Sequence, residues 1–211
     1  MDPSKRIRLL GILSKYLPEP AAQWALFKLE LYGIRLRISG LRHSKMGDYR
    51  IPKRGEPHEI SINFNLNPQA FALTLAHEIA HLETFNNYGL SVKPHGKEWQ
   101  FIHWQNLKEL VSINAFEKDV EKYILKRQGK HGASTCADPE LVILLKQYDR
   151  LKNPRTCFLY QLPEGAKFVI STGKIFIKGP LQRTRFWCFC PITKNNFLIP
   201  SVCEVQRICS S

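Results

Sequence analysis

The stretch Leu75-Ala76-His77-Glu78-Ile79-Ala80-His81-Leu82 constrains this chain more than any other. Histidines four residues apart on an α-helix share one face about 6 Å apart, so His77 and His81 can aim two imidazole nitrogens at a single point. A tetrahedral zinc ion needs that grip. Glu78 lies roughly 100° round the helix from His77, within reach of a water in front of the pair but badly placed as a ligand. Its expected role is general base. Phe71, Leu75, Ile79 and Leu82 form a helical-period apolar stripe, and Ala72, Ala76 and Ala80 keep the adjacent faces small. Two imidazoles buried by such a helix would be costly unless hydrogen-bonded or metal-bound.

A catalytic zinc usually takes three protein ligands and leaves one position open. Asn86-Asn87-Tyr88-Gly89 marks the end of the first helix and Pro94-His95-Gly96 reads as the turn into a second, so a reversing chain brings His95 back over the His77/His81 face. HEIAHLETFNNYGLSVKPHGKEWQ resembles the core of the SprT-like zinc metalloprotease family, the group of bacterial SprT and eukaryotic Spartan-like proteins, in which HExxH is followed by His-Gly and an aromatic residue. The resemblance implies one catalytic Zn2+ on His77, His81 and His95, with Glu78 as catalytic acid/base. It also implies hydrolysis of peptide bonds in a gluzincin-like minimal metalloprotease domain, and DNA-associated or DNA-crosslinked proteins as substrates. His103, farther along, reads as a packed histidine.

Hydrophobic periodicity predicts helices over 4–17, 21–32, the HExxH stretch, from after His95 to about 111, 116–130 and 138–150. In the second of these, Trp24, Ala25, Phe27 and Leu31 are expected on one buried side. Strands are expected at 34–38, 45–51 and 60–66, the last with Ile60, Ile62, Phe64 and Leu66 facing one way. The fold class is therefore α+β: residues 1–152 as helices with a small antiparallel sheet, then a small β-meander over 153–211. Strands in that second region are expected at 167–170, 174–178, 183–190 and 196–199, with Gly179-Pro180 among the separators. Cys188-Phe189-Cys190 is a close cysteine pair, but Cys203 and Cys209 are too loosely spaced for a zinc knuckle. The second region thus reads as a basic module resembling a zinc ribbon without its cysteine pairs, and no second, structural zinc is expected.

A net charge of +13 over 211 residues favours a polyanionic partner. Lys174, Lys178, Arg183 and Arg185, interleaved with Phe176, Phe186, Trp187 and Phe197, are the candidate nucleic-acid contacts. The basic run 126–132 is a second candidate for phosphate. The N-terminal segment reads as an amphipathic helix and not a signal peptide, no apolar run is long enough to span a bilayer, and six cysteines suit free thiols in a reducing cytoplasm. The expectation is a cytoplasmic zinc-dependent metalloendopeptidase with a protein or peptide substrate, DNA as a second partner and no membrane. The alternative is a non-catalytic zinc-containing DNA-binding protein, which would show salt-dependent DNA affinity without chelator-sensitive proteolysis.

Overall fold

The computed structural model describes residues 2–42, 45–127, 138–149 and 153–208, in two compact units, Met1–Asp149 and Arg150–Ser211. Unit one is built of helices α1 (Pro3–Leu13), α2 (Glu19–Leu31), α3 (Pro68–Tyr88), α4 (Lys97–Ser112), α5 (Lys118–Arg127) and α6 (Pro139–Lys146), with strands β1 (Arg35–Ser39), β2 (Gly47–Arg50) and β3 (Glu59–Asn63). The architecture is α+β. No helix among the described residues is long and apolar enough to cross a membrane.

The sheet is mixed. Its order is β1-β3-β2, with β2 antiparallel to β3 but β1 parallel to it. A parallel pair needs a crossover, and the segment between β1 and β3 supplies one by laying β2 along the far side of β3. Strand β3 is also shorter than its alternation predicts. Phe64 lies beyond the strand and is exposed, whereas Ser61 and Asn63 are buried although they face away from the isoleucines. Arg42 covers that second face, its guanidinium donating to Asn63 Oδ1 at 2.7 Å and to Ser61 Oγ at 3.0 Å.

Helix α3 starts on a local capping signal, Asn67-Pro68. Pro68 occupies its first turn, and the Asn67 side chain accepts the Ala70 N–H at 2.9 Å, satisfying one of the otherwise unpaired amides. Its core face packs Phe71, Leu75 and Ile79 with Ile60, Ile62 and Leu107. Helix α2 is rotated from its predicted face: Phe27 and Leu31 point outward, each 56% exposed. The cause is Lys28, whose buried ammonium reaches Glu83 on α3 at 2.9 Å and Asn106 and Glu109 on α4 at 3.0 and 3.1 Å. Asn106 closes the network by donating to Glu83 at 2.8 Å, so three helices are tied behind the HExxH face.

Unit two is a six-stranded antiparallel sheet in the order β4-β9-β5-β6-β7-β8, formed by β4 (Cys157–Phe158), β5 (Lys167–Ile170), β6 (Ile175–Gln182), β7 (Arg185–Cys190), β8 (Asn195–Pro200) and β9 (Glu204–Arg207). The β5 to β8 run is the predicted meander, while β4 and β9 lack a sequence signal strong enough to mark them. Gly179-Pro180 does not separate strands: it lies within β6, where the register with β7 slips between Lys178 and Leu181. A bulge absorbs a proline that has no N–H to offer, and a Cβ at Gly179 would sit 2.7 Å from the Trp187 carbonyl oxygen. Cys188 and Cys190 both face the core as free thiols, as period two demands. Cys209 lies outside the described residues.

Candidate metal centre

Helix α3 presents His77 and His81 one turn apart, and the turn before α4 swings His95 across them. The Nε2 atoms of His77 and His81 are 3.1 Å apart, those of His77 and His95 are 3.3 Å apart, and the three residues' ligand atoms fall within 4.8 Å of one another. A tetrahedral ion with bonds of 2.0–2.1 Å to nitrogen requires neighbouring nitrogens about 3.3 Å apart, so the triad fits a metal of that geometry. The donor chemistry agrees. Burial, reinforced by the neighbouring rings, pushes the pKa of His77 down to about 3 and that of His81 to about 4, and burial lowers His95 as well. All three rings are therefore neutral near pH 7, the form that offers a lone pair to a cation.

His95 reaches this position from a backbone conformation that side chains seldom adopt, φ 58°. The Gly96 N–H donates to the Lys93 carbonyl at 2.9 Å and closes the tight turn, and a Cβ at Gly96 would stand 2.9 Å from that same oxygen. This is the physical reason for glycine after the third histidine. Trp99, one turn into α4, is 1% exposed and packs its ring 4.7 Å from His77, 5.2 Å from His81 and 4.7 Å from His95. It is the wedge that sets the three imidazoles at their mutual angles. His103 stacks on Trp99 at 4.7 Å, meets the His77 ring edge-on at 5.6 Å and is buried, so it braces the wedge, while the grouped ligand atoms are those of His77, His81 and His95.

Glu78 is buried beside the histidines, and burial with help from nearby Asp48 raises its pKa to about 7. The Tyr49 backbone N–H donates to its carboxylate. This carboxylate lies against strand β2, and the contact is close: a Cβ at Gly47 would stand 2.6 Å from Glu78 Oε1 and 2.7 Å from Thr74 Cγ2. Gly47 and Tyr49 carry no motif that sequence reading could recognise, because their contribution is backbone proximity. Gly47→Ala is expected to displace the Glu78 carboxylate and lower the melting temperature of the metal-free protein. Replacing Glu78 and Thr74 by alanine should recover most of that loss, since neighbours that clash are non-additive. Additive melting shifts across that cycle would refute the contact.

Strand β2 is an outer strand of the sheet, with one main-chain edge unpaired by β3. Between it and the segment 89–95 runs a cleft of about 380 Å³ with His77, Glu78, His81 and His95 in its lining. Of the two outer strands, β2 is the one whose residues Gly47, Asp48 and Tyr49 line this cleft.

The predicted nucleic-acid contacts do not come together. Lys178 is buried, donates to the Leu162 and Tyr160 carbonyls and sits 3.9 Å over the Phe186 ring. It is a core cation, unavailable to phosphate. Lys174 precedes β6, while Arg183 and Arg185 stand at its far end, about 25–30 Å away along an extended strand. All three are exposed. Phe176 and Phe186 fill the core, whereas Trp187 stands exposed on the opposite face of β7 and Phe197 turns its ring edge to Phe176. In the basic run, Arg127 pairs with Asp138 at 2.5 Å and Glu140 at 3.3 Å, Lys126 pairs with Glu140 at 3.6 Å, and 128–132 lie outside the described residues.

Residues 21–120 match the model of the SprT-like family, and this span contains the whole triad, Glu78 and strand β2. Protein SprT of Actinobacillus succinogenes is 31% identical over 104 residues, which are 47% of this chain and 55% of that relative. The chain thus spans about half the length of the curated relative it matches. No solved structure matches it.

Proposed function

We propose that this chain, whose residues 21–120 form an SprT-like domain, is a zinc-dependent metalloendopeptidase. The observation that carries the reading is the convergence of three neutral imidazoles beside a buried carboxylate, at the foot of a cleft flanked by an open strand edge. Zinc, when bound to His77, His81 and His95, supplies Lewis-acid polarisation of a peptide carbonyl and activation of water. Glu78 takes the proton of the attacking water and returns it to the leaving amine nitrogen. An extended polypeptide pairs its main chain with the free edge of β2 and so carries its scissile bond past Glu78.

On this reading residues 1–152 are a gluzincin-like minimal protease domain working in the cytoplasm, and 153–211 are an appended basic module. The +13 net charge supports DNA-associated or DNA-crosslinked proteins as substrates, with Lys174, Arg183 and Arg185 as the exposed phosphate contacts of the appended module. Metal analysis combined with casein and DNA-bound-protein cleavage tests it. One zinc per chain and cleavage that stops with chelator and returns with zinc are expected. Zinc without cleavage, together with salt-dependent DNA affinity, would instead favour a non-catalytic DNA-binding protein.

A further inference from the structure

We propose that the cleft beside the triad holds an apolar subsite that selects a large aliphatic or aromatic substrate residue next to the bond to be broken. The inference rests on the peptidase reading and deepens it by naming what the enzyme chooses.

Past the histidines the cleft wall changes character. Tyr49 and Ile51 line it from the β2 side, Phe85 from the last turns of α3, and Leu90 and Val92 from the segment that leads to His95. The inner part of this wall is fixed in advance. Tyr49 stacks on His58 at 5.9 Å and donates to or accepts from its Nδ1 at 3.0 Å, and His58 meets Phe85 edge-on at 6.3 Å. The outer part is apolar surface left in water: Ile51 is 47% exposed and Leu90 is 81% exposed. Contiguous apolar surface beside a reactive centre is recovered when a ligand covers it.

The charges present point the same way. Asp48 is the carboxylate on this flank apart from Glu78, and it is already matched by Lys45 at 2.7 Å and Arg50 at 3.2 Å. Among the described residues lining the cleft a basic substrate residue finds no free anion, and Lys93 at the rim repels it. An acidic residue would trade full hydration for an apolar wall. Pairing with β2 sends alternate substrate side chains toward the floor of the cleft, so one position beside the scissile bond meets this wall. The consequence is selective: even in a basic, DNA-associated substrate, cleavage falls at the aliphatic or aromatic residues and not at its lysines and arginines.

The test uses the zinc-loaded full chain carrying Glu78→Gln and blocked hexapeptides that differ at one position, Leu, Phe, Lys or Asp, with binding read by fluorescence anisotropy. Leu and Phe peptides are expected to bind at least about ten-fold more tightly than Lys or Asp peptides. Adding Leu90→Asp or Val92→Asp, changes in an exposed segment that leave the core intact, should remove the preference. Equal binding, a preference for Lys, or no binding to any peptide overturns the subsite. Mapping the bonds cut in casein by the wild-type protein separates this from the broader reading. Cleavage without apolar preference sinks the subsite and leaves the peptidase standing. Apolar-selective binding without any cleavage does the reverse.

Discussion

Glu78→Gln is expected to keep its zinc and lose cleavage by about 10²–10⁴-fold, the range that a positioned acid/base contributes. Glutamine has nearly the same shape and still accepts the Tyr49 N–H, but it cannot take up a proton. The same substitution carries a second signature. In the metal-free fold, burial holds Glu78 at a pKa of about 7, above its ordinary value of 4.5. Below pH 4.5 the group is neutral whether the chain is folded or not, and it contributes no difference. As pH rises from 4.5 to 7 the unfolded chain ionises first, so the folded state loses stability, by about 3 kcal/mol once both forms are ionised. Metal-free Glu78→Gln should therefore melt above metal-free wild type at pH 8, with the gap closing near pH 4.5. Thermal melts in chelator at the two pH values, beside peptidase rates on the zinc-loaded proteins, measure both. Retained proteolysis in the variant would remove Glu78 from the base role. A melting gap that fails to shrink on acidification would remove the buried carboxylate from the energetics.

The division between what was readable in the sequence and what was not follows the range of the interactions. His77, Glu78 and His81 declare themselves because a single helical turn sets their spacing. Asn67-Pro68 and Gly89 declare the ends of α3 because capping is local. His95 is legible only through the Pro-His-Gly turn, whose tight closure by Gly96 the structure supplies. Lys28 could not be read, since a lysine on an amphipathic helix is expected outside. Only acceptors from two other helices, 55 and 78 residues away in sequence, draw it in and turn Phe27 outward. Lys178 misled in the same manner, being a basic residue between aromatics that proves to be coordinated by backbone carbonyls. Gly47 gave no signal because its contribution is the absence of a side chain. The mixed sheet follows from pairing across the segment 40–58, which strand periodicity does not encode.

Removal of the third imidazole separates metal binding from folding more cleanly than any other change. His95 sits at φ 58°, a conformation that costs an L-residue roughly 1–2 kcal/mol and costs glycine almost nothing. Glycine gains back-folding freedom in the unfolded chain, which offsets about 0.4–1 kcal/mol of that relief. Metal-free His95→Gly should therefore be no less stable than metal-free wild type, while His95→Ala, which keeps the strain, should match wild type or fall slightly below it. Both lose the donor that stands 3.3 Å from His77 Nε2, so zinc affinity should fall by more than the 10–100-fold seen when a residue that merely orients a ligand is removed. Linkage makes the loss visible as heat stability. Zinc at a thousand times its dissociation constant stabilises a fold by about 4 kcal/mol, and a variant with only His77 and His81 should show little of that rise at the same free zinc. Calorimetric titration and melting curves with and without zinc measure the two effects independently. Full zinc-induced stabilisation in His95→Gly would show that the ion is held by a different set of residues. A collapse of the metal-free fold would show instead that the turn at Lys93–Gly96 serves architecture before it serves the site.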